Sequence, residues 1–384
     1  MDAKIVGWGH TPFGALEMGL EDLIQTAAAE AIDTAGIDPA EIDGIWLGHF
    51  NSGMVPDAFA SSLVLGLDDS LRFTPATRVE NACASGSAAV YAARDAIRAG
   101  SAKTVLAIGV EKMTTLDTKG VTKALAGASY QGEEAGVSFP QIFGCIADGY
   151  FQRFGNQSDT LARIAVKNHA NAMSNPLAQM QREVSFEFCN TPSDKNPLIA
   201  PPLRLTDCSL ISDGAAALVM VAEDRDGFDH AAGFRAARQV NDRLPMSGRD
   251  MTQLSAAARA FAMAYDEAGI IAKDLDLAEV HDCFTIAELM IYEAMGLTPV
   301  GQGARAVADG TTLSDGALPV NLSGGLKAKG HPVGATGVSM HVLAAQQVTG
   351  QAGALQKDGA ELAAVFNMGG SGVANYCSIL EART

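Results

Sequence analysis

The amino-acid sequence predicts an α/β protein made of two similar halves in one chain. The clearest indication is an internal repeat, because Asp33–Gly48 can be aligned without a gap on Asp266–His281. Each copy combines a helical apolar pattern, a glycine and a short apolar strand. Helices that alternate with short buried strands are typical of parallel βαβ units whose sheet is covered on both faces.

The first copy begins with an amphipathic helix whose apolar residues recur at helical spacing from Leu23 to Ala31. Gly36 suits the C-terminal cap of this helix, because glycine adopts the left-handed conformation without strain. A short strand is predicted next, at Ile45–Leu47. In the second copy the same pattern predicts a helix at Ala257–Ala268 and a strand at Leu277–Val280.

A second pair of matching segments places Cys83 and His331 at equivalent positions of the two halves. Cys83, in Cys-Ala-Ser-Gly, opens a helix rich in small residues, and a strand at Thr104–Val110 follows. His331, in His-Pro-Val-Gly, opens a similar helix that is followed by a strand at Glu361–Phe366. Pro332 fits the first helical position, where a missing N–H costs nothing.

The chain divides into two halves and an inserted segment. Residues 116–205 break the repeated pattern, and a segment of this length is too long for an ordinary connection, so we expect a functional excursion over the site. A strand within Ser212–Asp224 closes the first half, which comprises residues 1–115 and 206–225, and the second half is 226–384. The apolar side chains of the insertion that could line a substrate channel, or simply pack in the core, are Phe139, Phe143, Met173 and Met180.

The net charge and composition of the chain argue against some classes of binding partner. The formal net charge of −17 argues against nucleic acid and anionic membranes, although a local basic patch for a phosphorylated ligand is compatible with it. No apolar run is long enough to span a membrane, and the N-terminus lacks the pattern of a signal peptide. The six cysteines form no C-x-x-C pair, so we expect reduced thiols, no zinc site and a cytoplasmic location.

The segment around Cys83 predicts a reactive thiol. A cysteine at the start of a helix faces free backbone N–H groups and the positive end of the helix dipole, and both should lower its pKa. Glycine and alanine around it leave the backbone open to a bulky substrate. The alternative is that Cys83 is a small buried residue, which is the usual fate of a free cysteine.

Two further segments carry candidate chemistry. His331 lies in a glycine-rich stretch, Asn321–Gly337, and could be a general base, a donor to an oxyanion, or a core histidine. His281 and Cys283 lie just after a strand, where open α/β sheets bind their ligands. A metal site there is not expected, because no H-E-x-x-H pattern is present. A glycine-rich turn at Asn367–Gly372 could be a plain turn or a source of backbone donors.

Taken together, these motifs resemble the thiolase superfamily over nearly the full length of the chain. Cys83 stands in the acylated-cysteine motif of that family, and His331 in its G-H-P-x-G-A-T-G motif at Gly330–Gly337. His281–Phe284, H-D-C-F, is similar to the motif of sterol-carrier-protein-type thiolases. The resemblance implies the thiolase fold, with two similar βαβαβαββ halves packed as α-β-α-β-α layers and an inserted loop domain.

The sequence departs from the family at one position. Most thiolases carry a second catalytic cysteine in a C-x-G motif, and Asn367 stands at that position here. In sterol-carrier-type relatives the cysteine of H-D-C-F is thought to replace it, which makes Cys283 the acid/base candidate. That lineage also includes aldolases and unusual acyltransferases.

The resemblance implies catalytic roles for Cys83, His281, Cys283 and His331. His281 and His331 would hold the oxygen of an enolate, while the backbone N–H groups of Cys83 and Gly369 would form a second oxyanion hole. Acyl-CoA and coenzyme A are the expected substrates, and no metal or tightly bound cofactor is expected. Residues that contact coenzyme A are not predicted.

Thiolysis of a 3-oxoacyl-CoA in lipid degradation is the expected direction, and its reverse is a Claisen condensation. One alternative is a C-acyltransferase or retro-aldolase that works with a partner subunit, although retention of Cys83 argues against the aldolase. Another is a non-catalytic acyl-CoA-binding protein. Thiolases pair through the edge strand before the nucleophile, here Thr77–Ala82, so we expect a homodimer or a dimer of dimers.

Overall fold

The computed structural model describes residues 2–383. The strands are β1 (Ala3–His10), β2 (Gly44–Gly48), β3 (Ala76–Val79), β4 (Thr104–Glu111), β5 (Leu198–Ala200), β6 (Leu203–Arg204), β7 (Gly214–Ala222), β8 (Ala231–Asn241), β9 (Leu277–Val280), β10 (Leu362–Gly369) and β11 (Ala374–Arg383). The α-helices are α1 (Leu20–Ala35), α2 (Ser85–Arg98), α3 (Thr118–Ala126), α4 (Gln131–Glu134), α5 (Phe139–Phe154), α6 (Ser158–Ala172), α7 (Phe186–Asn190), α8 (Ser255–Ala268), α9 (Thr285–Ala294), α10 (Ala304–Ala308), α11 (Gly325–Ala328) and α12 (Thr336–Val348).

Nine strands form one continuous hydrogen-bonded sheet in the order β3-β2-β4-β7-β1-β8-β11-β10-β9. The two halves of this sheet meet only through β1 and β8, where Lys4 pairs with Gly233 and Ile5 with Ala232. Within each half the predicted parallel pairs are present, namely β2 with β3 and β4, and β9 with β10. The sheet as a whole is mixed, because β7 and β11 run antiparallel to their neighbours.

Helices cover the sheet in alternating layers. Helix α1 packs against β1 and β7 on the outer face of the first half, and α8 packs against β8 and β11 on the outer face of the second. Helices α2 and α12 contact each other, and α12 also contacts β7 and β10, so this pair lies between the two halves. The predicted α-β-α-β-α arrangement is therefore confirmed.

Close approach in the central layer depends on glycine. A Cβ atom at Gly109 would lie 2.5 Å from the carbonyl oxygen of Gly334, and one at Gly86 would lie 2.7 Å from the same oxygen. Any side chain at these positions would push β4 and α2 away from the loop that leads into α12.

The internal repeat is confirmed in three dimensions. Helices α1 and α8 both end at a glycine in the left-handed conformation, with φ of 64° at Gly36 and 67° at Gly269. The strands that follow, β2 and β9, lie at the predicted positions. The halves differ further on, because 3₁₀ turns at 60–66 and 69–71 precede β3, whereas the matching strand of the second half is reduced to one bridge between Ala278 and Val320.

Two helix starts differ from the prediction. Helix α2 begins at Ser85, two residues after Cys83, and α12 begins at Thr336, five residues after His331. Pro332 is therefore not a helical residue. It begins a turn instead, and its carbonyl accepts hydrogen bonds from the N–H groups of Ala335 and Thr336.

Between β4 and β7 the chain forms helices α3 to α7 and the β5–β6 hairpin. Strand β7 then returns to the first half, where it pairs with both β1 and β4. Among residues 2–383, no helix combines the length and apolar character needed to cross a membrane.

Candidate active site

Cys83 lies in a tight turn between β3 and α2. Ala82 has a φ of 51°, a left-handed conformation that is costly for a residue with a side chain. The Ser85 hydroxyl stabilises this turn, because it donates to the carbonyl of Ala82 at 2.7 Å and accepts from the N–H of Asn81 at 2.8 Å. The Cys83 side chain lines a cavity beside this turn.

The fold brings the predicted catalytic side chains together. The sulfur of Cys83 and one ring nitrogen each of His281 and His331 all lie within 4.8 Å of one another. The two imidazole rings meet edge to face, with centroids 5.1 Å apart. Cys283 is buried and lines the same cavity as Cys83 and His331.

The pKa of Cys83 contradicts the expectation from its position. Burial raises the pKa of this thiol to about 12, and the carboxylate of Glu111 adds to the rise, while an N–H from Gly370 opposes it. Loss of hydration therefore outweighs the favourable effect of the helix start. Cys83 is a neutral thiol at rest and needs a base to become a nucleophile.

Both histidines are held neutral. Burial lowers the pKa of His331 to about 3, with a contribution from the nearby Lys329 cation. Burial and the neighbouring His331 lower the pKa of His281 well below its ordinary value. A neutral imidazole keeps one lone pair and one N–H, so each histidine can act as a base or as a hydrogen-bond donor.

His331 is oriented by Thr336 in the first turn of α12. The two side chains are hydrogen-bonded through Nδ1 and Oγ1 at 2.7 Å, and the Thr336 hydroxyl donates to the carbonyl of Pro332 at 3.0 Å. Since that hydroxyl proton is used, its oxygen accepts from Nδ1–H of His331. The lone pair on Nε2 is then free to accept a proton.

Asn367 occupies the position where most thiolases carry a second cysteine. Its side chain is fully buried near the end of β10. The amide nitrogen lies 3.2 Å from the carbonyl oxygen of Cys83 and 2.9 Å from Nδ1 of His281. The amide oxygen accepts from the hydroxyl of Ser87 at 2.8 Å. Asn367 thus contacts both the nucleophile turn and a predicted catalytic histidine.

The glycine turn after β10 lies against Cys83. A Cβ atom at Gly369 would come within 2.3 Å of the carbonyl oxygen of Asn81, so only glycine fits there. The N–H that approaches the sulfur of Cys83 belongs to Gly370, which also lines the cavity. Gly370 was not among the predicted donors, and the role of Gly369 as an oxyanion donor stays a prediction.

Beside Cys83 the cavity has a volume of about 480 Å³ and is mostly apolar. Of the four apolar candidates in the insertion, Phe139 lines it. Phe143 is buried in the core and stacks on Phe284, and Met173 is 46% exposed. Met180 also lies outside the lining. The other lining residues come mainly from α3 and from the segment that precedes β7: Met113, Thr118, Val121, Thr122, Leu125, Pro140, Gln179, Ile199, Leu205, Cys208, Ser209, Leu210, Ile211, Phe284 and Val333.

Sequence reasoning missed a buried carboxylate at the end of β4. Glu111 accepts hydrogen bonds from the N–H groups of Phe50 at 3.0 Å, Asn51 at 2.9 Å and Gly334 at 3.1 Å. It therefore ties the loop after β2 to the loop that carries His331. An acidic residue at the end of an apolar strand is the only signal in the sequence.

A second missed feature is a buried polar cluster behind the H-D-C-F motif. Lys167 is paired with Glu288, and Asn168 donates to both Glu288 and Asp282. Asp282 also accepts from the N–H of Leu326 at 2.6 Å, and burial near Glu288 raises the pKa of Asp282 to about 7. These contacts join α6, α9 and α11 and hold His281 and Cys283 in place. No local pattern links Lys167 and Asn168 to residues more than 110 positions away.

Metal binding has one geometric candidate. Among residues 2–383, Cys83, His281 and His331 are the only histidine, cysteine or acidic side chains grouped closely enough to share an ion. These are the residues of the catalytic group itself, so an ion there would occupy the place of the reacting substrate. The prediction that the reaction needs no metal stays a prediction.

Comparison with known proteins agrees with this architecture. The chain matches the model of the thiolase N-terminal domain over residues 3–224 and that of the thiolase C-terminal domain over residues 237–382. It is 39% identical to an acetyl-CoA acetyltransferase of Methanothermobacter thermautotrophicus, over 97% of both chains. It is 32% identical to human sterol carrier protein 2, over 95% of this chain and 69% of that protein.

The solved structure of the Ltp2-ChsH2(DUF35) aldolase is also similar, with a TM-score of 0.84 and 25% identity over 99% of this chain and 98% of that one. With both halves matched, the chain belongs to the thiolase family. Within that family it is an acyltransferase that acts on coenzyme A thioesters, as its sequence predicts.

Proposed function

We propose that this thiolase transfers an acyl group between a 3-oxoacyl-CoA and coenzyme A through a thioester on Cys83. The observation that carries the proposal is the convergence of the Cys83 thiol with two neutral histidines beside an apolar cavity. A neutral thiol next to a neutral imidazole with a free lone pair is a nucleophile–base pair.

In the first half of the cycle, His331 accepts the proton of Cys83 as the sulfur attacks the C3 carbonyl carbon. The C2–C3 bond then breaks, and its electron pair forms the enolate of the departing acyl-CoA. N–H groups of His281 and protonated His331 hold the enolate oxygen. The thiol of Cys283 protonates C2 and regains a proton from His331, which returns to the neutral state.

In the second half, the thiol of coenzyme A gives its proton to His331 and attacks the acyl group on Cys83. Backbone N–H groups of the Cys83 turn and of the Gly369–Gly370 turn would stabilise the oxyanion of this step. Cys83 leaves as a thiolate and takes the proton back from His331. The neutral groups of the resting site are thereby restored without any other reactant.

A second candidate is a retro-aldolase that works with a partner subunit. Its support is the likeness to the Ltp2-ChsH2(DUF35) aldolase, which is named for two components. The two candidates differ at the nucleophile, because an aldolase forms no acyl-cysteine. Whether a partner is required is tested by assaying the purified chain alone.

The proposal extends to assembly and location. Strand β3 is an edge strand that pairs only with β2, and its Thr77 side chain is exposed, which supports a homodimer, or a dimer of dimers, formed through this edge. The six cysteines are all free, which fits a reducing compartment such as the cytoplasm.

The decisive experiment is mass spectrometry of the intact protein after brief exposure to a panel of 3-oxoacyl-CoAs. We expect an added acyl mass on the peptide that contains Cys83, which also identifies the preferred acyl group, and no adduct in Cys83→Ser. Coenzyme A should remove the adduct. Cleavage of the 3-oxoacyl-CoA that requires no free coenzyme A and leaves no adduct would favour the aldolase instead.

A further inference from the structure

The side chain of Asn367 has a single orientation that satisfies its surroundings. The carbonyl oxygen of Cys83 can only accept hydrogen bonds, so the NH₂ group of Asn367 must face it. The hydroxyl of Ser87 donates to the amide oxygen on the other side. The reverse orientation would set two carbonyl oxygens against each other inside the protein, which is costly.

This orientation determines where His281 carries its proton. The same NH₂ group lies 2.9 Å from Nδ1 of His281 and donates to it, so Nδ1 must be the unprotonated nitrogen. A neutral imidazole has one N–H, which therefore lies on Nε2. Nε2 is buried and has no hydrogen-bond partner within residues 2–383, so its N–H is unpaired, and one ring nitrogen of His281 lies within 4.8 Å of the Cys83 sulfur.

We propose that Asn367 is a positioning residue that locks His281 in the Nε2–H tautomer and so makes it a permanent hydrogen-bond donor to the enolate oxygen. His331 is held in the opposite tautomer, because Thr336 accepts from its Nδ1–H and leaves Nε2 as a base. The two histidines are thereby given different roles by their neighbours. The enolate itself rests on the proposed function, whereas the tautomer does not.

Asn367, which stands where most thiolases carry a cysteine, therefore affects the tautomer of His281. A thiol at this position could exchange protons. It would favour one tautomer of His281 less strongly than the amide does. Asn367 cannot transfer a proton as a thiol can, but it stabilises one tautomer of His281. Proton transfer at C2 is accordingly left to another group, for which Cys283 is the candidate.

Nitrogen-15 NMR of the histidine side chains tests the lock directly in the full-length protein, with His281→Gln used to assign the signal. We expect His281 of the wild type to be neutral with its proton on Nε2. In Asn367→Leu the donor is lost, and both tautomers should be populated. In Asn367→Asp the carboxylate should hold a proton on Nδ1, so that Nε2–H is present only below the pKa of His281 and is lost above it.

Activity supplies the second measurement. Exchange of the α-protons of acetyl-CoA with deuterated water should fall about 10²-fold or more in Asn367→Leu, the scale of a lost oxyanion donor. Acylation of Cys83 should change much less in the same variant. Asn156→Leu is the control, because it makes the same substitution at an exposed position outside the site, and both the His281 tautomer and the exchange should stay as in the wild type.

A wild-type His281 with its proton on Nδ1 would overturn the proposal without any variant. So would a tautomer change in Asn367→Leu that leaves α-proton exchange intact. Failure of the proposed function would show itself differently, as the absence of an acyl adduct on wild-type Cys83 with the His281 tautomer unaffected.

Discussion

At the scale of single residues, the site is built from neutral groups beside a mostly apolar cavity. Burial suppresses the thiolate of Cys83 and the imidazolium of both His281 and His331. Neutral groups avoid the large cost of an isolated buried charge. Charge arises only when the substrate is present and its developing oxyanions can be held by N–H donors, so reactivity is coupled to binding.

The pH dependence of Cys83 alkylation follows from this arrangement. With a pKa of about 12, the thiolate fraction of Cys83 should keep rising across the neutral and alkaline range. An ordinary thiol would level off near its pKa of about 8.5. Iodoacetamide labelling followed by peptide mass spectrometry measures this, with the exposed Cys145 as an internal reference. A plateau for Cys83 at or below the pH at which an ordinary thiol levels off would contradict the raised pKa of this thiol.

Replacing Cys283 is expected to impair proton transfer at C2 without preventing acylation of Cys83. In Cys283→Ala, acyl transfer from an acyl-CoA to Cys83 should persist, because that step needs only the nucleophile, His331 and the backbone donors. Exchange of acetyl-CoA α-protons with deuterated water should fall about 10²-fold or more, the scale of a lost general acid–base group.

Proton NMR measures the exchange, and Cys208→Ala is a matched control, since Cys208 lines the same cavity without a proposed role. The competing view is that His281 or a water moves the proton and that Cys283 only packs. Near-normal exchange in Cys283→Ala would favour that view, although the Cys83 mechanism could survive.

At the scale of elements, the ends of β2 and β4 and the loop before α12 are joined by one carboxylate. Glu111 has no lysine or arginine partner among its described contacts, and its carboxylate accepts hydrogen bonds from three backbone N–H groups. The loop it holds at Gly334 is the one that carries His331. Glu111 therefore acts on the site through the backbone.

Glu111→Gln should have two effects of opposite sign. The amide cannot accept from all three N–H groups, so the His331 loop should loosen, turnover should fall, and stability should drop by about 1–3 kcal/mol. Removing the negative charge should lower the pKa of Cys83 and speed its alkylation at a given pH.

Urea unfolding, steady-state kinetics and the alkylation profile are the measurements. Glu187→Gln on α7 is a surface control that should change none of them. If turnover falls while the alkylation profile is unchanged, Glu111 would be a structural residue without electrostatic influence on the thiol.

At the scale of the whole molecule, two similar halves face each other across α2 and α12. Each half contributes one loop before its central helix, and these loops supply Cys83 and His331. The second half adds His281 from the end of β9 and Asn367 from β10. The reactive groups of both halves thus lie close together, and the insertion supplies much of the lining of the apolar cavity beside them.

Assembly through the edge of the first half is expected to make the protein a dimer. Thr77→Lys places a charge on the exposed edge strand β3 and should weaken pairing between two copies. Sedimentation velocity should show a species of twice 39.8 kDa for the wild type and a shift toward 39.8 kDa for the variant. Thr34→Lys, exposed on α1, is the control. A wild-type protein that is monomeric and fully active would reject the dimer.

The resemblance to thiolases implied the layered fold, whereas the sequence by itself determined the repeated halves and the residues to examine. These depend on short-range signals: helical and strand periodicity, the glycines at 36 and 269, and the motifs around Cys83, His281, Cys283 and His331. Local backbone preferences and apolar spacing are properties of neighbouring residues, so they can be read directly from the chain.

Tertiary structure alone decided how those residues behave. The sign of the pKa shift at Cys83 comes from burial by distant segments, which outweighs the local helix start. The contacts of Asn367 span 86 residues to His281 and 284 to Cys83. Desolvation and long-range hydrogen bonds exist only once the halves have packed. No local pattern could therefore assign the proton on His281 or show that Glu111 connects the loop after β2 to the loop that carries His331.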